Sequence, residues 1–350
     1  MWDEIFVLTL AVGSFFLLRW ATKTLPGEGW QIIASVPGVK GQSNSWNGSN
    51  LTYYGLFVAG SLVAGVALIF VLGGSAGVPK AMIAMVLMVL GVVCVPASRI
   101  VARMVEKKKH TFTVGGASFL GILIAPGAVW LANHTLGSYI NYKAPSIIVL
   151  SALALGYALG EGVGRLACMS FGCCYGRPLA ECSPWVRRVL GKHVIVFTGK
   201  TKKIAYESGL DGTEVVPIQA ITSALYIAVC LVGTYLYLNG FYCTSLILVM
   251  TVTQIWRALS ETLRADYRGE GDLSAYQVMA IVAALYVLAG AWLSSPVHLP
   301  GADLLAGLSV LWDPILIIAL QSVFICAFLV TGRSSVTGST MSFHVIKDKI

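Results

Sequence analysis

The chain has 350 residues, of which 57% are hydrophobic and only 11% charged, with a mean hydropathy of +0.78. Soluble domains carry about 25% charged residues, so the composition excludes an ordinary soluble protein and predicts an all-α polytopic membrane protein with a small loop cap. The net charge of +8 is low for a nucleic-acid binder and sits in loops, so no nucleic acid is expected and the bilayer and its phospholipids are the anionic partners. Of the eight cysteines, Cys94, Cys230, Cys243 and Cys326 lie in apolar runs and read as small core residues rather than a disulfide framework.

Stretches of about 18 to 20 apolar residues can cross a bilayer. Nine are read, at roughly 4–20, 53–73, 80–98, 116–133, 145–164, 217–237, 244–261, 275–294 and 303–331. The first has the length of a signal peptide but starts acidic (Asp3, Glu4) and lacks a basic n-region, so a retained helix is expected. Segment 21–52, rich in Gly, Ser and Asn, reads as an aperiodic loop, and its sequons at Asn47 and Asn50 as chance matches. The longest hydrophilic segment, about 179–216, carries the β-like run HVIVFTG and is expected to form a strand-containing cap.

Basic residues concentrate on the side where the first stretch ends. Arg103 with Lys107 to Lys109, then Arg187, Arg188, Lys192, Lys200, Lys202 and Lys203, form the main clusters, whereas the opposite loops hold Lys80 and Lys143. The positive-inside rule makes the basic side cytoplasmic and the N-terminus external.

Stretch Glu161 to Pro178, EGVGRLACMSFGCCYGRP, ends the fifth apolar run on that basic side. An arginine in a membrane helix is costly without a partner, which makes Arg165 a functional candidate; the alternative is a side chain snorkelling to headgroups. Gly164, Gly172 and Gly176 are read as places where the backbone turns or approaches a ligand closely. Together these residues suggest an anion site at the bilayer rim. Short motifs fall at helix ends on the same side: Tyr53-Tyr54-Gly55-Leu56, Ala97-Ser98-Arg99, Gly115-Gly116-Ala117-Ser118-Phe119, Pro217-Ile218-Gln219, the series Arg257, Glu261, Arg264, and Tyr276-Gln277.

In order and spacing this series resembles the prolipoprotein diacylglyceryl transferase family, over about residues 50–295, with residues 1–49 and 296–350 as helical additions and 179–216 as an extramembrane insert. The GCCYG form of the signature resembles a divergent branch. The resemblance implies transfer of diacylglyceryl from phosphatidylglycerol to a cysteine thiol, with release of glycerol phosphate, in a bacterial cytoplasmic membrane. It also implies that Arg165 and Arg257 match the family's essential arginines. Such a planar fork grips phosphate bidentately and keeps its charge. Tyr54 is a candidate donor to a phosphate or ester oxygen, or else an interfacial aromatic. Glu261, at helical spacing from Arg257, either orients it, accepts a proton, or forms only an i,i+4 pair. Arg99, Gly115, Gly116, Ser118, Gly164, Gly172, Gly176, Gln219, Arg264 and Gln277 are candidate substrate-binding positions, although Gln219 and Gln277 also suit capping or helix–helix hydrogen bonds.

Three departures stand out. Leu120 occupies a position where many members have histidine, and Cys168 and Cys173 stand where asparagine and an acidic residue are usual. A base would then have to come from Glu261 or Cys173, with Glu161 assisting, and a thiol serves only if its pKa is lowered, as Arg165 and Arg177 would favour. The spacing of Cys168, Cys173, Cys174 and Cys182 matches no common zinc pattern, so no metal and no cofactor are expected. His110, His134, His193, His298 and His344 read as loop or tail residues. The family arrangement puts the motif-bearing side in the periplasm, against the charge reading. Alternatives are a relative with a lipid, sugar or small-molecule acceptor, and a non-catalytic lipid transporter. A transporter would predict broken helices and an internal repeat; Pro96 and Pro126 are read as lying at or near helix ends, and no repeat is visible.

Overall fold

A computed structural model describes residues 1–40, 46–105, 107, 114–266, 273–293, 301–334 and 346–349. Lys108, Lys109, His110, His298 and His344 lie outside them. The elements in chain order are α1 (Trp2–Thr24), β1 (Ile32–Lys40), β2 (Trp46–Thr52), α2 (Tyr53–Ser75), α3 (Lys80–Val105), α4 (Val114–His134), α5 (Leu136–Tyr139) and α6 (Ser146–Phe171). There follow α7 (Pro184–Leu190), β3 (Ile195–Val196), α8 (Lys203–Ser208), β4 (Glu214–Val215), α9 (Ile218–Leu238), α10 (Tyr242–Ser260), α11 (Ala275–Leu293), α12 (Leu304–Val310), α13 (Pro314–Gly332) and β5 (Arg333–Ser334). Among the described residues nine helical segments are long and apolar enough to cross a membrane, one for each apolar stretch of the sequence. The protein is an all-α multi-pass membrane protein.

Four expectations change. Segment 21–52 is not wholly a loop: β1 and β2 pair antiparallel and β5 adds to β2 through Leu51 and Asn50. Its β-branched residues Ile32, Ile33, Val36 and Val39 supply strand propensity that the glycines obscure. The last stretch is two helices, because Pro314 starts α13 and Asp313 accepts the Leu316 N–H as its cap. Helix α3 continues past Arg99 to Val105. Pro96 and Pro126 therefore lie inside α3 and α4 rather than at their ends, a placement membrane helices tolerate.

The membrane core is built around α6, which packs along α2, α9 and α10. Its Gly156, Gly160 and Gly164 recur every fourth residue and so share one face. A Cβ on Gly156 would meet Gly65 O of α2 at 2.6 Å, and one on Gly160 or Gly164 would meet Ser61 at 3.3 Å. Small residues at such a crossing let backbones approach, the usual basis of helix association in lipid.

Beyond α6, segment 172–217 folds back on the helix ends as a small unit that contains the β3–β4 pair. This pair and Phe197, Ile204 and Tyr175 pack with Leu166 and Met169 of α6, Ala21 of α1 and Leu25 just past it. Lys202 is buried beneath it, donating to Leu25 O at 3.0 Å and Ser170 O at 2.5 Å, and burial pushes its pKa down to about 8. One amine thus ties the C-terminal ends of α1 and α6 together.

Candidate active site

Helices α2, α3, α4, α6, α10 and α11 surround a cavity of about 870 Å³. Its wall follows α6 from Ser146 to Cys168, a rise of about 33 Å at 1.5 Å per residue, comparable to the roughly 30 Å hydrocarbon core of a bilayer. Most of the lining is aliphatic. At the end nearest the cap the wall turns polar, with Tyr54, Ser118, Tyr157, Glu161, Arg165 and Cys168.

Spacing explains why these groups gather. Tyr157, Glu161 and Arg165 follow one another at i,i+4, with Gly164 and Cys168 on the same face. Arg165 Nη2 makes a short contact with Glu161 Oε1. From α10, Arg257 Nη2 reaches the same oxygen at 3.1 Å and Nη1 reaches Oε2 at 3.4 Å. Arg257 Nη1 also donates to Ser118 Oγ at 2.7 Å and to the Tyr157 hydroxyl at 3.2 Å, and Gln254 Nε2 donates to that hydroxyl at 3.4 Å. The side chains of Glu161, Arg165 and Arg257 are 4%, 13% and 11% exposed. Such charges survive in a membrane core only when paired, because desolvation costs several kcal/mol per ion.

The two arginines thus converge, but on a carboxylate. Arg257 is absent from the cavity wall and reaches it through Ser118, Tyr157 and Glu161. Arg165 lies on the wall, and its buried Nε has no hydrogen-bond partner among the described residues. An unmade buried hydrogen bond costs about 1–3 kcal/mol, so Arg165, which lines the cavity, holds an unused donor.

The chain matches the sequence model of prolipoprotein diacylglyceryl transferase over residues 45–293, more than two thirds of its length. It belongs to that family. A comparison with curated proteins gave no match. The family is a transferase family, and its matched region runs from the start of β2 through α11, so the arginine–glutamate network lies inside it.

Within this transferase fold, the remaining sequence candidates divide by position. Tyr54 lines the polar end of the cavity, its ring edge-on to Phe171 at 5.6 Å. Gly164 lines it too while facing Ser61 of α2. Among the described residues no contact joins Glu261 to Arg257: Glu261 continues α10 as a 3-10 turn, and its carboxylate lies 3.7 Å from Arg264. Arg264 is engaged bidentately by Asp266, both contacts at 2.8 Å, and sits outside the cavity. Arg99 lies on the exposed side of α3, also outside it.

Gly115 and Gly116 are buried in helix packing, a Cβ on Gly116 meeting Val101 at 2.5 Å. Gly176 lies against Val216 O, and Gly172 ends α6 in the left-handed region at φ +71°. Gln277 accepts the Ser274 N–H and donates to Ala258 O, joining α11 to α10 as both cap and cross-helix link. Gln219 donates to Cys173 O at 2.9 Å, beneath the cysteine turn. Cys173 fails the condition set for a base: hydrogen bonding to Cys168, then to Cys174, together with burial, pushes its thiol well above the usual range, and Arg177 is exposed and donates to Arg264 O. Leu120 is off the cavity wall. Sequence reasoning passed over Tyr157 and Gln254 and gave Glu161 only an assisting part; the i,i+4 series of Tyr157, Glu161 and Arg165 was the available signal.

Proposed function

We propose that the protein transfers the diacylglyceryl group of a phosphatidylglycerol-like donor to a thiol, releasing glycerol phosphate, in the cytoplasmic membrane of a bacterium. The supporting observation is the unpartnered Arg165 Nε, buried at the polar end of an apolar cavity as deep as a bilayer core. The acyl chains occupy the aliphatic wall and the phosphate meets Arg165. The thiol sulfur attacks the glycerol carbon that carries the phosphate ester. A C–S bond forms, the C–O bond breaks, and glycerol phosphate leaves with the bonding pair. Arg165 neutralises the charge growing on that leaving group, the kind of preorganised electrostatic stabilisation that contributes most to catalysis.

Arg257 is a positioning residue in this scheme. It holds the Glu161 carboxylate while the incoming phosphate competes for Arg165, and Ser118 and Tyr157 fix its fork. As Arg165 turns to the phosphate, Glu161 becomes the carboxylate on the cavity wall able to take the thiol proton. The bundle in nanodiscs with phosphatidylglycerol labelled in its headgroup, given a cysteine-bearing acceptor peptide, should release labelled glycerol phosphate as the peptide gains diacylglyceryl mass. Absence of both products would refute the reading. Release accompanied by mass on a lipid, sugar or small molecule would move the acceptor assignment and keep the donor.

A further inference from the structure

Outside that network, α6 runs directly into a second cluster. Cys168, in the last turn of the helix, meets Cys173 and Cys174 in the turn that follows, and the three sulfurs lie within 4.8 Å of one another. Cys182, part of the same sequence run, instead makes a local contact with Pro178 O. We propose that Cys168, Cys173 and Cys174 form a three-thiolate site for a thiophilic d10 cation of the Zn²⁺ or Cu⁺ class.

Metal–sulfur bonds of about 2.3 Å put the sulfurs of a trigonal or tetrahedral site about 3.8–4.0 Å apart, so the cluster closes on an ion by moving less than about 1 Å. Soft thiolates select soft cations. The turn is held from several directions: Gly172 N–H and Cys173 N–H both donate to Cys168 O, Gln219 holds Cys173 O, and Ala265 N–H donates to Tyr175 O. Cys174 sits at φ +55°, where glycine would be unstrained; what cysteine adds there is its sulfur.

The electrostatics suit a charged thiolate–metal unit. Arg165 interacts with Cys168 and Cys174, Arg264 with Cys174, and Lys203 with Cys173 and Cys174. Three thiolates on a divalent ion carry a net negative charge, which these cations face. By contrast Cys230 is packed alone in the core, donating to Leu155 O, and behaves as a small hydrophobe. Binding would fix the end of α6, and with it Arg165, against the cap.

Full-length protein, reduced and purified anaerobically, is titrated with Zn²⁺ and with Cd²⁺ as an optical probe. The expected result is about one equivalent bound, with a thiolate-to-metal charge-transfer band for Cd²⁺, lost in Cys168→Ser and Cys174→Ser and retained in Cys182→Ser and Cys326→Ser. Should the serine variants fail to fold, wild-type protein decides: bound Zn²⁺ should protect all three thiols from alkylation until a chelator is added. Equal alkylation with and without Zn²⁺, or metal binding unchanged in Cys168→Ser, overturns the proposal.

Discussion

Two arginine clusters stand near the ends of α6 and α10, and the contrast between them shows what a candidate site requires. Arg264, just past α10, has its fork filled by Asp266, with Glu261 beside it, and does not line the cavity. It pins two chain segments together, Gly176 bridging to its own backbone. Arg165 has one carboxylate shared with Arg257, one unpartnered buried donor and a cavity in front of it. Both are deeply buried cations. Only the second has capacity to spare.

The sharpest way to break this comparison is to exchange the consequences of removing each arginine. Arg165→Ala should lower glycerol phosphate release by about 10²–10³-fold, the loss typical of one preorganised donor on a developing anion, while the thermal melt stays near wild type. Arg165→Lys should also be impaired, because the planar fork is lost. Arg264→Ala should do the reverse, lowering the melt by removing the bidentate Arg264–Asp266 pair and the Glu261 contact beside it, read by thermal unfolding in detergent. Equal activity losses in both variants would erase the distinction.

Smaller effects refine it. Gly65→Ala pushes a methyl into Gly156 O at 2.5 Å, and overpacking of this kind costs about 1–3 kcal/mol; it should lower both stability and activity by spreading α2 from α6. Tyr157→Phe removes the hydroxyl that accepts from the charged Arg257 guanidinium and from Gln254, a charge-assisted bond worth about 1.5–3 kcal/mol. Transfer should fall by about ten- to a hundredfold, with binding of donor lipid preserved.

Much of this was legible in the sequence, for reasons that differ by residue. The nine spans follow from apolar length alone, and Arg165 was conspicuous because charge is rare inside such runs. Glu261 follows Arg257 at helical spacing, yet its carboxylate lies beside Arg264, a choice of partner that spacing alone does not make. The partner Arg257 does find, Glu161, is 96 residues away in another helix, a distance that local periodicity does not span. Gly116 and Gly176 carry motif spacing, and a Cβ on them would meet the Val101 side chain and Val216 O, close packing that a sequence does not distinguish from close approach to a ligand. The β1–β2 hairpin was hidden by turn residues that interrupt its strands.

Orientation across the bilayer separates the charge reading from the family arrangement. A reporter fused after Lys349 tests it, with cytoplasmic activity expected on charge and periplasmic activity contradicting it.

The most direct test of the central claim is an experimental structure of the protein in nanodiscs containing phosphatidylglycerol. The account predicts lipid density along the α6 wall with its phosphate within salt-bridge reach of Arg165 and hydrogen-bonded to Nε. A headgroup at the Ser146 end, or a cavity occupied by acyl chains with Arg165 still bound to Glu161 alone, would contradict it.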